Sequence, residues 1–139
     1  MEAQKTLAII KPDVVEKRKQ GVVLQRILDE GFEVLAMRQM QLSLKDAEGF
    51  YAVHKGKGFF DELCQFMSRG PVVVLALRRK DAVAHWRKVI GATNPANAEP
   101  GTIRKELGQS VGENAAHGSD SPENGVIECG YFFAGVDQI

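Results

Sequence analysis

Gly70-Pro71-Val72-Val73-Val74-Leu75-Ala76-Leu77 is the stretch on which the fold turns. A Gly-Pro break followed by a short apolar run rich in β-branched residues reads as a strand, the clearest one in the chain. Upstream of it, Phe60, Leu63, Cys64 and Met67 share one helical face, and Gly70-Pro71 ends that helix. Downstream, Asp81 is placed to cap a helix carrying Val83, Trp86, Arg87 and Ile90. Further out, Val34 to Leu42 alternates apolar Val34, Ala36 and Met40 with polar Glu33, Gln39 and Gln41, which suits a second strand, and Ser43 with Asp46 resembles a helix start. Thr6 to Ile10 reads as a buried strand closed by Lys11-Pro12-Asp13, because proline lacks the donor that continued pairing requires. Between these strands Val22, Val23, Ile27 and Leu28 follow helical spacing, with Gly31 as a stop, so a helix is predicted from about Gln20 to Glu30. After the helix around Trp86, a long irregular loop spans Ala92 to Gly101. A short helix from about Thr102, irregular chain to Asn114, a short edge strand near His117 and a last helix opened by Ser121-Pro122 complete the order. Strand, helix, strand, two helices, strand, helix, loop, edge strand, helix is the order of a ferredoxin-like α+β sandwich, a four-stranded antiparallel sheet with helices packed on it.

Composition bounds what such a domain can do. The 139 residues fit a single domain, 1–139, which buries roughly 65–70% of its unfolded surface. Lys+Arg and Asp+Glu are 18 each, and zero net charge argues against a duplex-binding protein that relies on many phosphate contacts. Any anion site must be local. The short basic clusters Lys17-Arg18-Lys19 and Arg78-Arg79-Lys80 read as solvated turns at element ends. Cys64 and Cys129 lack partners at metal-ligand or redox-motif spacing, so two buried free thiols in a reducing compartment are expected. Leu7-Ala8-Ile9-Ile10 is too short for a signal-peptide core or a membrane span, which points to a soluble, cytoplasmic protein without a membrane partner.

The chemistry converges on Asn114-Ala115-Ala116-His117-Gly118-Ser119-Asp120. An imidazole with an ordinary pKa near about 6.5 carries a free lone pair at neutral pH, so His117 reads as a nucleophile, with Gly118 leaving room for a bulky group to approach. Neither the P-loop nor the dinucleotide fingerprint is present: Gly56-Lys57-Gly58 runs on into Phe59-Phe60-Asp61. Cationic and polar groups nevertheless recur at element ends, namely Lys11, Arg87, Thr93, Arg104 and Asn114. Converging on one cleft, they suit a polyphosphate, since guanidinium forks match phosphate oxygens and lysine acts as a point charge.

These motifs, together with Lys11-Pro12-Asp13, Gly91-Ala92-Thr93-Asn94-Pro95 and Pro100-Gly101-Thr102-Ile103-Arg104, resemble the nucleoside diphosphate kinases over about Thr6 to Phe133. The resemblance implies that a γ-phosphoryl group moves from a nucleoside triphosphate to a histidine and then to a second nucleoside diphosphate, with little selection of the base. Position by position, it makes His117 the phosphorylated residue, Glu128 the holder of the other ring nitrogen and Ser119 the support of that glutamate. Tyr51 is placed near the transferred group, Lys11 and Asn114 against sugar hydroxyl and phosphates, and Arg87, Thr93 and Arg104 in a phosphate clamp. Phe59 and Val111 are placed on the two faces of the base, and about Asn94 to Ala116 becomes the nucleotide-gripping loop. Mg²⁺ is expected to arrive on the nucleotide, held by its phosphates and water, because the sequence offers no dedicated cluster of carboxylates to cage it, so no protein metal ligands are named; the resemblance implies a homo-oligomer built from dimers. The short tail after Phe133 resembles bacterial forms and favours a tetramer over a hexamer. The chain departs from the family in having Gly58 where proline often precedes the phenylalanine, Val14 where a small residue is usual and Cys129 where isoleucine is common. His54 and His85 lack a comparable supporting set and read as surface or structural histidines.

The competing reading from another class is a non-catalytic nucleotide- or RNA-binding ferredoxin-like module. The RNA-binding aromatic signature is missing from the strands and the net charge is zero, so no stable nucleic-acid complex is expected. A histidine phosphorelay domain needs no sugar-contacting or base-stacking set.

Overall fold

The structure, a computed structural model, describes residues 3–139. Its centre is a four-stranded antiparallel sheet. Strand β1 (Ala3–Ile10) leads through helices α1 (Pro12–Glu16) and α2 (Gln20–Asp29) to β2 (Glu33–Met40). Helices α3 (Leu44–Phe50) and α4 (Phe60–Met67) precede β3 (Val72–Lys80) and α5 (Ala82–Ile90). The loop then carries α6 (Ile103–Leu107) before β4 (Ala116–Gly118) and α7 (Pro122–Phe132). The strand order β2-β3-β1-β4 puts β1 and β3 at the centre, with Ala3 opposite Lys80 and Ile10 opposite Val73.

Both faces of the sheet are covered, which is why β1 and β3 read as unbroken apolar runs instead of alternating ones. Leu7, Ile9, Val72, Val74 and Ala76 meet α3, α4 and α7 through Ala47, Cys64, Met67, Cys129 and Phe132. Ala8, Ile10, Val73, Leu75 and Leu77 meet the other layer through Val14, Val23, Ile27, Trp86 and Ile90. Trp86 is wholly buried, and its truncation to alanine costs about 3–5 kcal/mol.

Local chemistry explains the termini. Ser43 and Asp46 form a reciprocal capping box at 3.0 Å each way, Thr102 caps α6, and Ser121 caps α7 with Pro122 in its first turn.

Several expectations are corrected. Lys11-Pro12-Asp13 closes β1 and also opens α1, since proline suits a first helical position as well as a strand end. On β2 the buried side chain is Leu35, with Val34, Ala36 and Met40 only partly covered, because a bulge between Val34 and Ala36 shifts the alternation. Arg78-Arg79-Lys80 belongs to β3: Arg78 pairs with Glu33 across the sheet and Arg79 donates to the Glu30 carbonyl. Asp81 precedes α5 with φ +54° and makes no side-chain cap. Cys64 and Cys129 are buried free thiols, as expected.

Candidate active site

The short strand β4 is laid against β1, with Ile9 opposite His117, and the backbone before it is tightly turned. Lys11 donates its backbone N–H to the Ala115 carbonyl at 2.9 Å, and Ala116 N–H closes onto Asn114 O at 2.9 Å. Ala115 takes φ +75°, a conformation that costs a non-glycine residue about 1–3 kcal/mol and persists only where its surroundings enforce it. Asp13 supplies part of that enforcement: its Oδ2 accepts the Ala115 N–H at 3.1 Å. Trp86 Nε1 donates to the His117 carbonyl at 3.0 Å from beneath the strand. A Cβ on Gly118 would lie 2.8 Å from Trp86 Cδ1, so this glycine makes room for the tryptophan, not for an arriving ligand as the sequence suggested.

Helix α7 brings Glu128 to the imidazole. The helix lies so close on β1 that a Cβ on Gly125 would stand 2.1 Å from the Lys5 carbonyl oxygen. His117 Nε2 lies 2.9 Å from Glu128 Oε1, and Ser119 Oγ donates to the same oxygen at 2.7 Å while accepting the Leu7 N–H at 3.0 Å. A carboxylate only accepts, so this geometry places the ring proton on Nε2 and leaves the Nδ1 lone pair free. Phe50 stands edge-on to the imidazole at 5.3 Å between ring centres and Tyr51 at 6.4 Å. Burial moves His117 below the usual histidine pKa, opposed by Glu128 and assisted by Lys11 and Arg104, so the unprotonated ring dominates at neutral pH. Among the described residues the buried Tyr51 hydroxyl has no hydrogen-bond partner, and burial, with Glu128 nearby, raises its pKa far above the usual value.

The polar donors form a connected group. Lys11 Nζ donates to Asn114 Oδ1 at 2.7 Å, and Asn114 Nδ2 donates to the Thr93 carbonyl at 3.0 Å. Arg104 is buried and spreads its fork over the carbonyls of Gly91, Asn114 and Ala116 at 3.0, 3.2 and 2.8 Å, holding the loop to the residues just before His117. Burial and the Arg104 charge push Lys11 down to about 7 against the pull of Asp13, while burial, with Arg87 adding to it, takes Arg104 down to about 10. Arg87 and Thr93 are exposed and line a cleft of about 510 Å³ with Arg104. Phe59 and Val111, both about half exposed, line another of about 770 Å³ with Leu63 and Phe66. His117 is not among the residues lining either cleft.

The nucleoside diphosphate kinase family pattern matches residues 4–137. The chain belongs to the nucleoside diphosphate kinase family. Relatives bearing that name from Geotalea daltonii and Sorangium cellulosum are 54% and 56% identical, covering 98% and 99% of this chain and 99% and 95% of theirs. Among solved structures, the nucleoside diphosphate kinase of Aquifex aeolicus superposes with a TM-score of 0.97 at 39% identity, over 99% of this chain and all of that one. The Halobacterium salinarum nucleoside diphosphate kinase, solved in complex with CDP, gives 0.94 at 31% identity, over 99% of this chain and 92% of that one. Membership favours a phosphotransfer enzyme over the non-catalytic binding module.

The departures from the family pattern lie away from the imidazole in different ways. Val14 and Cys129 are wholly buried core residues, and Gly58 is exposed with open space around its α-carbon. Sequence reasoning missed the parts played by Asp13, Phe50 and Trp86, which hold the backbone or pack the ring of His117. Asp13 carries a signal, an acidic residue directly after the Lys-Pro pair, which marks a strand end and a family motif but gives no hint of its hold on the Ala115 N–H. Of the other histidines, His85 contacts Glu30 at 2.7 Å, while His54 packs between Tyr51 and Phe59.

Proposed function

We propose that His117 carries the phosphoryl group in this nucleoside diphosphate kinase reaction, attacking through Nδ1. The observation that carries this reading is the fixed tautomer: Glu128 occupies Nε2, and among the described residues no hydrogen bond reaches Nδ1. The Nδ1 lone pair forms a bond to the γ-phosphorus, the bond from that phosphorus to the β,γ-bridging oxygen breaks, and the diphosphate leaves with that electron pair. A second diphosphate then reverses the step through its terminal oxygen. Charge in such transfers spreads over the equatorial oxygens, so positioned cations supply most of the catalysis. Lys11, Arg87 and the free N–H groups of Arg104 take that role, Thr93 and Asn114 orient phosphate and sugar, and Tyr51 lies against the transferred group. Phe59 and Val111 receive the two faces of the base, which accounts for little base specificity, and the CDP-bound relative belongs to the same substrate class.

Mg²⁺ enters on the nucleotide, where it neutralises phosphate charge. Among the described residues no three His, Cys, Asp or Glu side chains group to hold a metal ion, which suits a cation held by phosphates and water. Residues 1–139 act as one unit, as a homo-oligomer of dimers with the tetramer ahead of the hexamer. The outer strand β2, with Met37 half exposed, leaves an edge for a second copy. Buried free thiols suit the cytoplasm, and among the described residues no helix is long and apolar enough to cross a membrane.

Labelled ATP followed by GDP tests the reading. Labelled GTP, through an acid-labile and alkali-stable phosphoprotein, is expected; label that stays on the protein, phosphate on Ser119, or no transfer at all overturns it. Light scattering reads the assembly.

A further inference from the structure

The loop carrying Val111 is closed almost entirely on itself. Gln109 and Ser110 donate backbone N–H groups to the Glu113 carbonyl at 2.8 and 3.3 Å, and Glu113 N–H returns to Ser110 O and Oγ at 3.2 Å each. Among the described residues, one side chain alone joins residues 109–113 to the rest of the molecule by a polar contact: Arg69 Nη2 donates to Glu113 Oε1 at 3.2 Å. That guanidinium is itself held two-handed by Glu16 at the end of α1, with Nε and Nη2 at 2.9 and 2.8 Å from the two carboxylate oxygens, and it lies 4.9 Å from the centre of the Phe66 ring. Phe66, Arg69, Glu113, Val111 and Phe59 line the same cleft. An isolated exposed ion pair holds little, whereas a bidentate arginine shared by two carboxylates and seated on an aromatic face is pre-organised.

We propose that Arg69 is a positioning residue for the nucleotide: through Glu113 it holds the Val111 loop at the width at which a base fits between Val111 and Phe59. This rests on the reading of that cleft as the base site. Loss of Arg69 releases the wall of the cleft and leaves the reacting groups in place, because Asn114 is held separately by Lys11, the Thr93 carbonyl and Arg104. Substrate affinity and turnover should therefore separate.

The test is a double-mutant cycle of Arg69→Ala and Glu113→Gln on the full chain, reading KM and kcat for ADP and GDP, with Phe59→Ala alongside. Arg69→Ala should raise KM about three- to fivefold, near 0.7–1 kcal/mol, with kcat within about twofold. Glu113→Gln should match it, the double variant should add nothing, and Arg69→Lys should recover part of the loss. Additive effects would make Arg69 a direct contact and overturn the proposal, as would a fall in kcat with KM unchanged. A normal KM in Arg69→Ala while Phe59→Ala is impaired would sink the positioning role alone. A normal KM in Phe59→Ala would remove the base site and the proposal with it.

Discussion

The His117 floor and the Phe59–Val111 cleft are built by opposite means. On the floor every polar group that aims the imidazole has a partner in a different element: β1 through Leu7, α7 through Glu128, α5 through Trp86, and α1 through Asp13. In the cleft the two walls are half exposed, and one of them hangs on a single side chain from outside its loop. On the proposed reading, His117 is a nucleophile that must be aimed, and misplacement by even an ångström is costly, so it is fixed from several sides. On the same reading the cleft takes a base of any identity that must enter and leave, for which contact with two apolar faces suffices.

The largest effect should come from removing the nucleophile. His117→Ala should lower exchange of phosphate between ATP and GDP at least about a thousandfold and abolish phosphoprotein, with far-UV circular dichroism unchanged. Retained exchange would place the reaction outside the floor.

Two arginines lining one cleft, Arg87 and Arg104, differ in the same way, one held by backbone and the other exposed. Three of the Arg104 N–H groups hold backbone carbonyls, so Arg104→Lys should destabilise the protein by about 2–3 kcal/mol, a melting temperature roughly 5–10 °C lower. Arg87 is exposed, so Arg87→Lys should leave melting unchanged within about 2 °C and lower kcat/KM about tenfold through the lost planar fork. Equal melting temperatures for both variants would erase the distinction.

Phe59→Ala should weaken ADP, GDP, CDP and UDP together by about 1–2 kcal/mol, five- to thirtyfold, measured by calorimetry. A loss confined to one base would mean that the cleft reads base edges.

The most gradual effect, spread over several pH units, concerns Lys11. Folding lowers Lys11 from its ordinary value to about 7. Between there and the ordinary lysine range the unfolded chain holds a proton that the folded one lacks, so the Lys11 contribution makes stability rise with pH, by at most about 1.4 kcal/mol per unit. Over the same window the site loses a positive charge, so ADP affinity should fall and binding should take up a proton. Melting and calorimetry at pH 7, 8 and 9, with Lys11→Gln as the non-titrating reference, check both slopes; a variant that keeps the wild-type slopes would refute the assignment.

The sequence was legible wherever the determinant is local. Apolar runs, Gly-Pro and Ser-Pro punctuation and the Ser43–Asp46 spacing located the elements, because strand burial and capping depend on residues a few positions apart. The Asn114 to Asp120 stretch likewise singles out the histidine that Glu128 meets. Apart from the start of α1 at Pro12 and the missing Asp81 cap, what failed was set by partners distant along the chain. The Leu35 bulge is imposed by pairing with β3, Gly118 is required by a tryptophan on another helix, and Arg78-Arg79-Lys80 remains extended because Glu33 and the Glu30 carbonyl meet it.

By itself, then, the sequence determined the order of the strands and of every helix but α1, and it pointed to the family and to His117 as the proposed nucleophile. Tertiary structure alone decided which imidazole nitrogen Glu128 meets, that Arg104 braces the loop while Arg87 faces solvent, and that Arg69 reaches both Glu16 and Glu113. The reason is that a hydrogen bond's geometry belongs to a pair: Glu128 and His117 meet only because α7 lies on β1, and no spacing along the chain encodes which atoms face each other once that packing is made.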